Sequence, residues 1–187
     1  DGKMLLGHFS VNGKSYYAKG SGAVACREWV DVQDSVQDGP SKAFAGSDCS
    51  LCGTLRNGKL FTSNGDGELV EARGFVTLGG CLFYADPTNG SLSVGWQNVN
   101  GKWYFFDETA GYARSGWLSK DGSWFYLDPS TYVMKTGWVA VNGYWYYLNS
   151  SGYMQTGWLN LGGTWYWLDA SGAMATGWRV VDGSWNY

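Results

Sequence analysis

A Gly-Trp pair recurs every twenty or twenty-one residues in the second half of the chain, and another tryptophan follows each pair seven residues later. The five tryptophan pairs are Trp96 and Trp103, Trp117 and Trp124, Trp138 and Trp145, Trp158 and Trp165, and Trp178 and Trp185. A sequence period of this length is typical of proteins built from stacked small units, because one such unit cannot bury a core alone. We therefore expect both the fold and the function to be repeated along this part of the chain.

Each repeat has the pattern of a β-hairpin. In residues 138–147, β-forming residues alternate on both sides of Asn142-Gly143, and this dipeptide favours a type I′ turn because it accepts positive φ at both central positions. A two-residue loop then pairs Trp138 with Tyr147 and puts alternate side chains on the same face. Both faces are largely apolar, and a lone hairpin is at best marginally stable in water. The sequence therefore predicts an all-β solenoid of stacked β-hairpins.

The first ninety residues carry a weaker version of this pattern. Hairpins without paired tryptophans are predicted around three turns, Asn12-Gly13, Asn57-Gly58 and Gly79-Gly80. Residues 30–53 break the period and indicate an enlarged loop or a distorted unit. We therefore predict degenerate hairpin repeats over residues 1–92, with an irregular cysteine-containing segment at about 30–53, and regular repeats over residues 93–187.

The four cysteines, Cys26, Cys49, Cys52 and Cys81, all lie in the degenerate half. In a secreted chain four cysteines allow three disulfide pairings, and the sequence does not choose among them. Cys49 and Cys52 form one CxxC pair, but a second pair and a strand-helix pattern are missing, which disfavours zinc and redox chemistry. We expect disulfides that staple the irregular segment, and we predict no metal and no cofactor.

Charge and composition argue against several classes of function. The 187-residue chain has a formal net charge of −3, so no basic patch favours nucleic acid as a partner. No apolar run approaches the roughly 20 residues of a transmembrane helix, so no membrane insertion is expected. His8 is the only histidine, and no spacing of acidic residues suggests a carboxylate pair, so no catalytic residue is predicted. The chain starts without a signal peptide and stops within a repeat, which indicates a piece of a longer secreted protein whose catalytic domain, if it has one, lies elsewhere.

Residues 156–174 read TGWLNLGGTWYWLDASGAM and closely resemble the choline-binding repeats of Gram-positive autolysins and surface proteins. Residues 95–187 match this repeat at nearly every motif position, and residues 1–94 match it only in outline. The resemblance implies that the hairpins stack as a left-handed superhelix. It also implies that each ligand site takes two tryptophans from one repeat and an aromatic residue from the next.

Position by position, the resemblance implies four aromatic cages for choline. They are Trp96, Trp103 and Tyr126; Trp117, Trp124 and Tyr147; Trp138, Trp145 and Trp167; and Trp158, Trp165 and Tyr187. A quaternary ammonium group cannot donate a hydrogen bond and carries a diffuse charge, so electron-rich aromatic faces recognise it best through cation–π contacts. The other aromatic of each second strand, Tyr146 and Tyr166 among them, is interpreted as packing, as are Met134, Met154 and Met174 between units.

These observations predict a non-catalytic cell-wall-binding module, secreted and associated with the bacterial cell surface. Its partner would be the choline or phosphocholine of teichoic acids, because weak sites in series gain avidity on a polymer. One alternative is a glucan- or host-glycan-binding repeat domain of a glucosyltransferase, toxin or adhesin, since tryptophan also covers the apolar face of a pyranose. Another is an interaction scaffold whose N-terminal repeats contact a host protein.

The residue between the two tryptophans on the same face argues for a cation over a sugar. This position holds Asn98, Ser119, Ala140, Asn160 and Val180 in turn. Carbohydrate sites normally add directional hydrogen-bonding groups beside an aromatic platform. The repeats offer no consistent polar partner of that kind.

Overall fold

A computed structural model describes residues 7–11, 14–18, 28–32, 41–45, 51–63, 68–181 and 183–186 of the chain. Within these ranges every regular element is a β-strand, and the predicted all-β class is confirmed. The chain divides into two compact units, one of Asp1–Gln97 with Phe105–Ala113 and one of Asn98–Tyr104 with Arg114–Tyr187.

The first unit contains two hairpins and a larger sheet. Strands β1 (Gly7–Val11) and β2 (Lys14–Ala18) form one hairpin, and β8 (Gly74–Leu78) and β9 (Cys81–Ala85) form the other. A five-stranded antiparallel sheet in chain order consists of β3 (Glu28–Val32), β4 (Ser41–Ala45), β5 (Leu51–Arg56), β6 (Lys59–Ser63) and β7 (Leu69–Glu71). The three hairpins predicted in this half are confirmed as β1–β2, β5–β6 and β8–β9.

The five-stranded sheet corrects one of the two interpretations of residues 30–53. Strand β4 pairs with β3 on one edge and with β5 on the other, so an enlarged loop is wrong for residues 41–45 and 51–53. Phe44 and Ala45 of this interior strand are fully buried, and the register shifts between them, as at a β-bulge. The period breaks here because strands join a continuous sheet instead of separate hairpins. Residues 33–40 and 46–50 lie outside the described part of the chain.

Aromatic side chains form the core of the first unit. Phe44 and Phe83 are fully buried and meet edge to face, with ring centroids 4.8 Å apart. Trp29 packs on Phe44 at 5.1 Å, and its indole N–H donates a hydrogen bond to the carbonyl oxygen of Ala110 at 2.7 Å. The tryptophan therefore adds apolar area to the core while its one polar group stays satisfied.

Cys81 is buried in the same core at 6% exposure. Cys26 and Cys49 lie outside the described residues, and for Cys52 the structure describes the backbone in β5. The disulfide pairing therefore stays a prediction.

Two-stranded hairpins continue through the rest of the chain. The hairpin of β10 (Gly95–Val99) and β11 (Lys102–Phe106) has its strand ends in the first unit and its turn in the second. The following hairpins are β12 (Gly116–Lys120) with β13 (Ser123–Leu127), β14 (Gly137–Val141) with β15 (Tyr144–Leu148), β16 (Gly157–Leu161) with β17 (Thr164–Leu168), and β18 (Arg179–Val181) with β19 (Ser184–Asn186).

The predicted register is confirmed in the hairpin of β14 and β15. Trp138 pairs with Tyr147 at one end, and Val141 pairs with Tyr144 beside the turn. Asn142 and Gly143 adopt φ values of 50° and 84°, as a type I′ turn requires. The turn chemistry of the sequence thus fixes which side chains share a face.

Backbone hydrogen bonds of the connecting loops join successive hairpins in the second unit. Met154 donates its N–H to the carbonyl oxygen of Trp124 in the preceding hairpin, and Gln155 donates to Tyr147 in its own hairpin, both at 2.8 Å. Met134 and Met174 make the corresponding bonds to Trp103 and Trp145, at 2.8 and 2.7 Å. Each loop therefore acts as a short third strand between two hairpins, and the stacked-hairpin prediction is confirmed.

An acidic or amide side chain holds each of these loops in place. The Oδ1 atom of Asp128 accepts hydrogen bonds from the N–H groups of Ser130 (3.0 Å) and Thr131 (2.9 Å). These bonds favour the ionised carboxylate, so the pKa of Asp128 lies below its ordinary value. Asn149 holds the next loop through bonds of 3.0 Å from Ser151 and Tyr153. A neutral acceptor therefore supports the same type of loop.

Acid is expected to weaken the loop that Asp128 holds. Because the folded state lowers its pKa below the ordinary value of 3.8, the stabilising contribution is fully present above that value and is lost as pH falls through the folded-state pKa. The variant Asp128→Asn should keep the two hydrogen bonds, as Asn149 does, and lose this part of the pH dependence. Melting temperatures measured from about pH 5 to about pH 2 should fall more steeply for the wild type than for the variant. Parallel curves would contradict the prediction.

Candidate functional site

The second unit contains an open cavity of about 330 Å³ beside the hairpin of β12 and β13. Its walls come from two strands of that hairpin, from the next hairpin, and from two connecting loops. The lining residues are Trp117, Trp124, Tyr146, Met154, Ala170 and Ser171. This volume is at the lower end of the range of small-molecule sites, about 300–1,000 Å³, and no lining side chain carries a charge.

Strand pairing places the two indole rings of the cavity on one face of the hairpin. Trp117 pairs with Tyr126, and Ser119 pairs with Trp124, so all four side chains point to the same side of the sheet. The ring centroids of Trp117 and Trp124 are 6.4 Å apart, and their planes are nearly perpendicular at 86°. Trp124 remains 46% exposed. Two aromatic faces therefore form a corner that is open to solvent.

The next hairpin contributes Tyr146 to this corner, where the sequence analysis assigned Tyr147. The Tyr146 ring lies 4.8 Å from that of Trp117 at an angle of 71°, and it lines the cavity. Tyr147 packs instead against Trp138, its cross-strand partner, with a centroid distance of 5.2 Å. The structure thus brings Tyr146 to the cavity and packs Tyr147 against Trp138. The third ring of the choline cage stays a prediction.

The next repeat shows the same arrangement of aromatic rings. Tyr166 lies 4.9 Å from Trp138, whereas Trp167 packs at 5.1 Å against Trp158 of its own hairpin. Tyr146 and Tyr166 point away from the tryptophan face of their own hairpins, because neighbouring residues of a strand alternate in direction. The tryptophan face of one hairpin thus meets the opposite face of the next.

Met154 has a second role besides the packing predicted for it. It fills the space between loops, since a Cβ atom added to Gly172 would lie only 2.5 Å from its sulfur atom. It also lines the cavity beside the two indoles. The polarisable thioether therefore forms part of an aromatic-lined wall, a setting that suits it because thioethers interact favourably with aromatic rings.

Two further predicted sets are partly assembled in the second unit. Trp158 and Trp165 repeat the perpendicular corner, at 6.2 Å and 89°, with Trp165 63% exposed; their predicted partner Tyr187 lies outside the described residues. Trp145 of the remaining set is 47% exposed on the same hairpin as Trp138. The indole corner is therefore a repeated feature.

The members of the first predicted set lie in different units. Trp96 belongs to the first unit, where its ring meets Phe105 at 5.2 Å and 71°. Trp103 belongs to the second unit and is 44% exposed. Tyr126 packs at 5.1 Å against Trp117, its cross-strand partner. This set stays a prediction from the sequence.

Among the described residues, no helix has the length and apolar character needed to cross a bilayer.

Comparison with known proteins identifies the repeats. The choline-binding repeat family matches residues 93–134 and 135–176 in two consecutive blocks. No curated protein matches the chain.

Solved structures of the same repeat type resemble the chain. It is similar to CbpJ from Streptococcus pneumoniae, with 29% identity and a TM-score of 0.65 over 96% of this chain and 70% of that chain. It is also similar to choline binding protein F from Streptococcus pneumoniae, with 29% identity and a TM-score of 0.64 over 96% and 69% of the two chains. The choline binding domain of Spr1274 from the same species is 44% identical over 33% of this chain and 84% of that chain, with a TM-score of 0.31. Residues 93–176 therefore consist of repeats of the choline-binding repeat family.

Proposed function

We propose that the chain is a non-catalytic module that binds choline groups of cell-wall teichoic acid. The observation that carries this proposal is the cavity formed by Trp117, Trp124 and Tyr146. Its aromatic walls have no charged side chain among them, and one indole is nearly half exposed. Such a site suits a cation that has a methylated surface and no hydrogen-bond donor on its charged group.

The ring geometry supports a cation–π site. Two perpendicular indoles with centroids 6.4 Å apart leave room for one group in front of both faces. A cation is attracted to an aromatic ring when it lies within about 6 Å of the centroid. A trimethylammonium head in the corner can therefore contact Trp117 and Trp124 together, with Tyr146 beside them.

One such site should bind weakly. Each cation–π contact contributes about 1–2 kcal/mol when it is desolvated, and loss of ligand freedom offsets part of the sum. We therefore expect a dissociation constant on the order of millimolar for free choline. Several sites in one chain facing a polymer with many choline groups would raise the overall affinity by about 100-fold or more where the spacings match.

The comparisons support choline as the ligand. Choline binding protein F, a relative with 29% identity, is named for this ligand. A secreted module at a Gram-positive cell surface would meet choline on teichoic acid. The proposed module attaches its parent protein there and leaves any catalysis to other parts of that protein.

Titration of tryptophan fluorescence with choline, a neutral isostere and a glucan oligosaccharide tests this proposal. Choline should give a saturable change at about millimolar concentration. The isostere 3,3-dimethyl-1-butanol has the same shape without the charge, so it should bind several-fold more weakly if cation–π attraction dominates. A response to the glucan alone would reject choline and favour the glycan-binding alternative.

A further inference from the structure

We propose that Ala170 and Ser171 form a specificity-determining rim of the Trp117–Trp124 cavity. These residues belong to the loop after β17, two hairpins further along the chain than the indoles they face. The inference rests on the proposed function and deepens it. The side chain at position 170 sets the ratio between the affinity of the site for phosphocholine and its affinity for free choline.

Local hydrogen bonds hold the rim loop in one conformation. The Oδ1 atom of Asp169 accepts from the N–H of Ser171 at 2.8 Å, from its hydroxyl at 2.6 Å, and from the N–H of Ala173 at 3.2 Å. Gly172 donates its N–H to the carbonyl oxygen of Asp169 at 2.8 Å. The rim is therefore a fixed wall whose backbone does not depend on the side chain of Ala170.

Direct contacts connect the rim loop to Met154, which lines the cavity together with Trp124. Met154 donates its N–H to the carbonyl oxygen of Trp124 at 2.8 Å, and its sulfur atom lies against Gly172 of the rim loop. Trp124, Met154 and Gly172 come from three consecutive repeats. The loop is thus seated at the cavity by packing, and the site is built from three repeats where the sequence analysis assumed two.

The rim lies beside the part of the ligand that extends out of the aromatic cage. The aromatic walls hold the trimethylammonium head, so the hydroxyl end of choline, or its phosphate, extends towards the opening. The lining there is small and neutral, a methyl group and a hydroxyl that is already bonded to Asp169. A charge introduced at position 170 should therefore act on the head and on the phosphate with opposite signs.

The test uses the full chain with Trp103→Ala, Trp145→Ala and Trp165→Ala, which leaves the Trp117–Trp124 cage for measurement. These three indoles are 44%, 47% and 63% exposed, so their removal leaves the core intact. In this background Ala170→Glu should strengthen the binding of choline and Ala170→Arg should weaken it, each by about three- to tenfold, as expected for one charge near a partly exposed site. With phosphocholine as the probe, the two changes in affinity should be smaller or of opposite sign.

Matched variants complete the test. Ser150→Glu and Ser150→Arg introduce the same charges at the matching position of the preceding loop. Met154 of that loop lines the cavity but Ser150 does not, so these variants should leave the ratio of the two dissociation constants unchanged. An unchanged ratio in both Ala170 variants, in a protein that still binds choline, would overturn the rim and leave the proposed function standing. Failure of the wild type to bind choline would overturn both. If the triple replacement impairs folding, the indole N–H resonance of Trp124 in the otherwise unaltered chain reports the same ratio.

Discussion

Trp124→Ala is expected to lower the choline affinity of its cage about 10- to 30-fold, as loss of one desolvated cation–π contact of up to about 2 kcal/mol predicts. The melting temperature should change little, because the indole is 46% exposed and the backbone carbonyl that accepts from Met154 is retained. Calorimetric titration with choline measures the affinity in a chain in which one exposed indole of each other predicted cage, Trp103, Trp145 or Trp165, is alanine. Thermal unfolding of the same protein measures the stability.

An exposed aromatic residue outside the cavity is the control for this prediction. Tyr144 is 59% exposed at the start of β15 and is not among the cavity-lining residues. Tyr144→Ala should leave the choline affinity unchanged within about twofold, because no contact to the cation is removed. Equal losses in the two variants would mean that the indole acts through the stack and does not touch the ligand.

The sequence predicts the hairpins well because their determinants are local. The Asn142-Gly143 dipeptide sets a two-residue turn, and the turn alone fixes the pairing of Trp138 with Tyr147. The same local rule places Trp117 and Trp124 on one face. Two walls of the cavity therefore follow from the sequence of a single repeat.

The other walls depend on contacts that a single repeat does not encode. Whether Tyr146 or Tyr147 meets Trp117 depends on which face the next hairpin turns towards its neighbour, and both of its faces are apolar and aromatic. The backbone bond from Met154 to Trp124 is one of these contacts between repeats. Ala170 reaches the cavity from two hairpins away, a relation that depends on how the repeats wind.

The sequence does not predict the five-stranded sheet of the first unit, and the reason is different. The period of the sequence disappears where strands such as β4 pair on both edges. The alternation of such a strand is obscured because both of its faces are covered, as the burial of Ala43, Phe44 and Ala45 in succession shows. Periodicity alone does not separate a covered strand of this type from an irregular segment.

Gly172→Ala is expected to be among the most destabilising single-methyl changes in the second unit, at roughly 2–5 kcal/mol. Its φ of 85° lies in the left-handed region, which costs an L-residue about 1–2 kcal/mol. The new methyl carbon would also lie 2.5 Å from the sulfur and 3.0 Å from the Cγ of Met154, and overpacking of this kind costs about 1–3 kcal/mol. Met154 can relieve the overlap only by moving from its place at the wall of the cavity, so the affinity for choline should fall as well.

Gly143→Ala separates the two contributions. Gly143 has nearly the same φ, 84°, but an added methyl group there would meet no atom within 4 Å, so this variant should show the backbone cost alone, about 1–2 kcal/mol. The excess cost of Gly172→Ala, measured by urea unfolding, should disappear when Met154 is also replaced by alanine, because the overlapping atoms are then absent. An excess that persists without the methionine side chain would show that the Met154–Gly172 contact does not join the repeats around the cavity.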